Sequence, residues 1–160
     1  MNHIKEHWDC SAIASEVKLH YMSDTDPEDR ITITSPEDAA GLLWEIFPKG
    51  QIELKEHFCV ILLNNSKQVL GYGITSVGGK TATIVDISEV VTIALLGSAN
   101  SIIVAHNHPS GKLRPSAADT NLTTRLRRAL SYLGITLDDH VIVTKNRFYS
   151  FLAHGEIKHD

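Results

Sequence analysis

The chain has 160 residues and a mass of 17.7 kDa, with 42% hydrophobic and 21% charged residues. That length suits one domain around a single core, and that composition excludes a disordered tail, a collagen-like chain or a coiled-coil rod. Fifteen lysines and arginines against nineteen acidic residues leave a formal charge of -4, the wrong sign for general attraction to nucleic acid. No apolar run approaches the roughly 20 residues that cross a bilayer, and Met1 to His7 lacks the apolar stretch of a secretory signal; a cytoplasmic protein with no membrane partner is expected. Two cysteines, Cys10 and Cys59, are too few for a disulfide framework, and Cys59, inside an apolar run, reads as a buried thiol. Nine histidines are the unusual count.

Residues 1–30 read as an extension in which Ser15 to Tyr21 alternates with period 2, as a short strand would, before an acidic loop from Ser23 to Asp29. Residues 31–160 form the domain. Ser35-Pro36-Glu37-Asp38 supplies a cap, a proline at the first helical position and early acids, which predicts a helix to about Phe47, stopped by Pro48 and Gly50. Phe58 to Leu63, turned by Asn64 to Lys67 into Gln68 to Ile74, predicts a hairpin in a sheet covered on both faces. A third strand is expected at Thr81 to Val85. Ser88 to Gly97 reads as a buried helix ended by glycine, and Ser101 to Ala105 as the apolar strand that delivers His106. A long helix is expected from Ser116 to about Leu133, with Gly134 as its stop. Val141–Val143 and Phe148–Phe151 then form a last hairpin across Lys145-Asn146-Arg147. The fold class expected is α/β, a single-domain mixed β-sheet flanked by helices.

The chemical signal is concentrated between His106 and Asp119. Two histidines separated by one residue at the end of a strand can point the same way and reach one metal ion, while Asn107 between them points elsewhere. Pro109, Gly111 and Pro115 shape the following loop, and Ser116 opens a helix with Asp119 one turn in. Two imidazoles and a carboxylate, with a fourth position left for water, describe a catalytic zinc site; a closed structural site would usually be completed by cysteines. Ser116 and Asp119 alone form a capping pattern, and a lone His-x-His is a weak signal. The joint pattern H-x-H-P, six residues, S, two residues, D fixes five identities and arises by chance on the order of once in 100,000 chains of this length.

Through His106-Asn107-His108-Pro109-Ser110-Gly111, Pro115-Ser116, Asp119 and Asp139-His140-Val141-Ile142-Val143, the sequence resembles the MPN+ or JAMM zinc metallohydrolases, and within them the bacterial RadC-like JAB-domain proteins. The resemblance runs from about Ile31 to the C-terminus. It implies an MPN/JAB, cytidine-deaminase-like architecture, with His106, His108 and Asp119 as ligands of Zn2+. Ser116 matches the serine that supports the oxyanion or the bound water. The catalytic glutamate precedes the first core strand, which implies Glu56; from the residues alone Glu56 is an edge residue, and Glu53 three positions earlier is the alternative.

His140 reads as a hydrogen-bonded core residue or as one that orients a ligand from behind, and His57 and His154 as surface or packing residues. Arg125, Arg127 and Arg128, with Lys112 and Arg114 on the loop, form the one basic concentration. The leading functional expectation is a zinc-dependent hydrolase cutting a peptide or isopeptide bond of a protein or peptide partner, with Glu56 as general base. A RadC-like DNA-associated protein or metal-dependent nuclease is the alternative, suggested by the arginines and opposed by the net charge, so nucleic acid is expected to bind weakly at best. A non-catalytic interaction module is the third reading.

Overall fold

Two seven-residue strands, β1 (His57–Leu63) and β3 (Ser101–Asn107), are buried along their whole length, as their near-continuous apolar composition requires of strands covered on both faces. They pair antiparallel at the centre of a five-stranded sheet whose order is β2 (Val69–Val77), β1, β3, β4 (Thr136–Val143), β5 (Phe148–Ser150). β2 and β5 pair antiparallel with β1 and β4, whereas β3 and β4 run parallel, making the sheet mixed. The computed structural model describes residues 25–78 and 85–158. The strand expected at Ser15 to Tyr21 and residues 81–84 of the expected third strand lie outside them.

Strand alternation sorts the core into two halves. Cys59, Ile61, Leu63, Ile103, Ala105, Val141 and Val143 face helix α1 (Pro36–Ile46), which offers Ala39 and Leu43. Phe58, Val60, Leu62, Ile102, Val104 and Ile142 face helices α2 (Ile87–Leu96) and α3 (Ala117–Ser131), through Val90, Ala94, Leu126 and Leu130. The result is the α/β, three-layer arrangement expected. α1 begins as its sequence dictates: Ser35 accepts from the Asp38 amide and Asp38 Oδ2 accepts from the Ser35 amide, closing a capping box. Cys59 is fully buried, and burial pushes its thiol up to about 12.

Three expectations are corrected. Among the described residues β2 is an edge strand, with Tyr72, Ile74 and Val77 exposed, so of the hairpin only β1 is covered on both faces. α2 buries Val90 and Ala94 alone, leaving Leu95 and Leu96 about half exposed; its apolar residues exceed what one face can bury. β4 starts at Thr136 and not at Val141 because its register against β3 steps from Leu137 directly to Asp139. This bulge at Asp138 breaks the alternation a strand is recognised by. It lets Asp138 bond Lys67 and Ser101 while Asp139 accepts from the His140 and Leu152 amides and the Ser150 hydroxyl. α3 closes at Ser131, and Gly134 takes the positive φ of 69° needed to turn into β4.

At the other turn into the sheet, Gly97 holds an ordinary φ of -81° but has no room for a side chain. A Cβ there would collide with Leu62 Cδ1 and come within 3.2 Å of the Ile93 carbonyl oxygen. Gly97→Ala is therefore expected to destabilise the fold by about 1–3 kcal/mol through overpacking, read as a lower urea midpoint at unchanged slope.

Candidate metal centre

At the exit of β3 the side chains part company. His106 lies on the α2/α3 face, Asn107 on the α1 face, and His108 follows the strand with its amide bonded to the Val143 carbonyl at 3.0 Å. The Nε2 atoms of His106 and His108 stand 2.9 Å apart. Asp119, in the first turn of α3, brings Oδ1 to 3.4 Å from His106 Nε2 and Oδ2 to 3.8 Å from His108 Nε2. One potential ligand atom from each residue lies within 4.8 Å of the others, the one such grouping of His, Cys, Asp and Glu among the described residues. His106 is buried and the other two are half-buried, so the cluster opens on one side.

Asp119 serves the helix as well. Its Oδ2 accepts from the Ser116 amide at 2.6 Å, and Ser116 Oγ accepts from the Asp119 amide at 3.2 Å, a complete capping box. The structural and chemical readings of this pair are therefore compatible: the cap holds one carboxylate oxygen, and the other, Oδ1, is the one nearest His106. Ser116 Oγ spends a lone pair on the cap, and its hydroxyl hydrogen remains available to donate.

The far sides of both imidazoles fix where their protons sit. The Thr123 hydroxyl donates to the Asp119 carbonyl at 2.7 Å, so toward His140 Nδ1, 2.6 Å away, it can only accept. His140, buried and neutral because burial and the neighbouring His106 drive its pKa well below the usual range, then presents a bare Nε2. That atom accepts from His106 Nδ1 at 2.9 Å. His106 is held down to about 4, chiefly by burial against the opposing pull of Asp119, so it too is neutral and its Nε2 carries a lone pair. His108 Nδ1 donates to the Lys112 carbonyl at 2.6 Å, which in the neutral ring leaves its Nε2 bare as well. Two imidazole nitrogens and a carboxylate thus converge, a donor set that suits a metal ion with a further position open.

Glu56 precedes β1 and is half-buried; burial raises its carboxyl pKa, His108 opposes the rise and Asp119 adds to it, so the three lie within electrostatic reach of one another. Glu53 is exposed and pairs with Lys145 at 3.1 Å. The residue that sequence reading left without a role, Asn107, governs this segment. Its buried side chain accepts from the His57 amide at 2.8 Å and donates to the carbonyls of Ile52 and Lys55 at 2.8 and 2.7 Å, tying the approach to β1 onto β3.

His140 is both the core histidine and the support of a candidate ligand. His57 is buried beside Phe47, and His154 stacks on Tyr149 at 3.9 Å. The basic concentration divides. Arg127 donates to the Lys158 carbonyl and lines a cavity of about 770 Å3, which borders Lys67, Ile103 and Leu137 at the opposite end of the sheet. Near His108 the cations are Lys112, Lys145 and Arg147, the last two from a turn 37 residues and more along the chain, where no sequence spacing signals their approach.

Thr123→Val removes the acceptor that sets the His140 ring while keeping the packing volume. Its zinc affinity, measured by competition with a chromogenic chelator, is expected to fall 10- to 100-fold, and Thr123→Ser is expected to retain it.

A family model for the RadC-like JAB domain matches residues 33–156, a span that holds every strand and helix from α1 to β5 and the whole histidine cluster. A UPF0758 protein of Listeria monocytogenes serovar 1/2a is 40% identical over 146 residues, covering 91% of this chain and 64% of the relative. Another from Flavobacterium johnsoniae is 39% identical over 123 residues, 77% of this chain and 52% of the relative, and one from Listeria innocua serovar 6a is 42% identical over 125 residues, 78% and 54%. The chain thus spans between about half and two-thirds of the length of these relatives. With the match covering most of the chain and the identities near 40%, the chain belongs to the RadC-like JAB domain family.

Proposed function

We propose that this chain is a zinc-dependent hydrolase that cleaves a peptide or isopeptide bond. The observation that carries the reading is the convergence of the His106 and His108 Nε2 atoms and the Asp119 carboxylate, with the half-buried Glu56 within electrostatic reach of His108 and Asp119. His106, His108 and Asp119 would hold the ion, which when bound supplies Lewis acidity to a carbonyl oxygen and makes nearby water more acidic. Glu56, its affinity for a proton raised by burial, is suited to accept a proton from water as the water oxygen adds to the carbonyl carbon. The same carboxyl then returns that proton to the departing nitrogen as the C–N bond breaks. Ser116 Oγ–H offers a hydrogen bond to negative charge developing on the former carbonyl oxygen. Lys112 and the β4–β5 turn border the opening through which an extended chain would enter.

A phosphodiester fits less well. Hydrolysis of phosphodiesters commonly uses paired metals to hold the attacking and leaving oxygens, and the described residues offer one three-donor grouping. Of the helix α3 arginines, the one that lines a cavity, Arg127, does so at the far end of the sheet.

Glu56→Gln removes the base and leaves the three donors in place. Its zinc content is expected to equal that of the wild type while turnover on a panel of peptides and isopeptides drops at least about 100-fold. Wild-type rates in that variant would overturn the assignment of the base. Metal-dependent cleavage of labelled single-stranded or duplex DNA, with every peptide left intact, would overturn the reaction.

A further inference from the structure

Beside His108 a smaller cleft of about 210 Å3 opens between the loop at Pro109 and Ser110 and the turn that joins β4 to β5. Its volume is below that of sites for drug-sized ligands and matches a single side chain or chain terminus. No large aliphatic or aromatic side chain lines it. Its charged members are Glu53, Lys145 and Arg147. Glu53 is matched by Lys145 at 3.1 Å, and Arg147 has no ion pair among the described residues, so the cleft carries one uncompensated positive charge.

The turn that carries Arg147 is fastened at its backbone. The Thr144 amide and hydroxyl both donate to the Arg147 carbonyl, at 2.8 and 3.1 Å, closing the turn. Trp44 Nε1 donates to the Thr144 carbonyl at 2.9 Å, fastening the turn to α1, and the His108 amide bonds Val143. The backbone carrying Arg147 is therefore fixed relative to His108, so a ligand engaging both meets two groups whose anchor points do not move apart. A guanidinium presents a planar fork that matches a carboxylate with two parallel hydrogen bonds.

We infer that this cleft is a subsite for a carboxylate of the substrate, with Arg147 as the recognising group. The inference rests on the hydrolase reading and narrows it: the bond cut lies next to an acidic side chain or to the C-terminal carboxylate of a peptide. Those two sources present the same chemistry to Arg147.

The test uses the zinc-loaded full chain carrying Glu56→Gln, so that peptides bind without being consumed, and fluorescent peptides of three kinds. One has an internal glutamate and an amidated terminus, one has a free terminus and no acidic residue, and one is the fully amidated glutamine counterpart. At least one carboxylate peptide is expected to bind 10-fold or more tightly than the amidated control. Arg147→Ala should erase that preference with the control's affinity and the zinc content unchanged, and Arg147→Lys should recover part of it. Which carboxylate peptide responds distinguishes the two sources. Equal binding of all three peptides, or a preference that survives Arg147→Ala, would overturn the subsite. So would an oligothymidylate that binds through Arg147 more tightly than any peptide. If the preference depends on Arg147 and the wild type cleaves no peptide, the subsite stands and the hydrolase reading falls. If the wild type cleaves acidic and amidated peptides at equal rates, the hydrolase stands and the subsite falls.

Discussion

Successive side chains of a strand point to opposite faces, and at the exit of β3 this rule governs the whole upper end of the molecule. It sends His106 toward Asp119 and Thr123 of α3 and His140 of β4, and Asn107 toward the segment that leads into β1. A shift of one residue in the pairing of β3 with β1 would exchange the two. The imidazole would then be buried against backbone carbonyls, and the amide would face the carboxylate. The pairing is held by the apolar residues below, which sort onto the two core faces with the same period.

Keeping so many polar groups in a core is costly unless each is satisfied. Here the connections are complete: the Asp119 carbonyl, Thr123, His140 and His106 form one unbroken chain of hydrogen bonds, each between 2.6 and 2.9 Å. Aromatic rings seal it. Phe58 stacks on His106 with 13° between planes, and Phe151 stacks on His140 with 12°. The rings exclude water, which strengthens each hydrogen bond and opposes charging of either imidazole. Asn107 solves the equivalent problem on the other face, since without its amide the Ile52 and Lys55 carbonyls would have to find water or another donor.

The features that sequence alone made legible are those written within a few residues. The two capped helix starts, the apolar strands β1 and β3 and the spacing of His106, His108, Ser116 and Asp119 follow from local chemistry, and the structure brings the three metal-ligand candidates together in space. The beginning of β4 was hidden by the bulge at Asp138, which spoils alternation for a reason found in Lys67 and Ser101, over 30 residues away. The exposure of Tyr72, Ile74 and Val77 on β2 depends on what packs against that strand, a fact no local pattern contains. Glu53 and Glu56 are indistinguishable by type and spacing; the tertiary fold sets one against Lys145 at the surface and half-buries the other within electrostatic reach of His108 and Asp119. The arginines of α3 formed a patch on paper because helical neighbours are also sequence neighbours. The axis of α3 carries Arg127 to the opposite end of the sheet.

The double service of Asp119 has a thermodynamic corollary. One oxygen of its carboxylate completes the first turn of α3, and the other faces the imidazoles, so whatever occupies the cluster also weighs on whether that turn is wound. By linkage, winding the turn must favour occupancy to the same degree that occupancy favours winding. The shape of the carboxylate becomes doubly constrained as a result. A glutamate or histidine could still offer a metal a donor atom, but a side chain of different reach would forfeit the bond to the Ser116 amide and loosen the helix that delivers it. Selection on this position would thus act through folding as well as through chemistry, and variants would be lost even in a cell that had no use for the reaction.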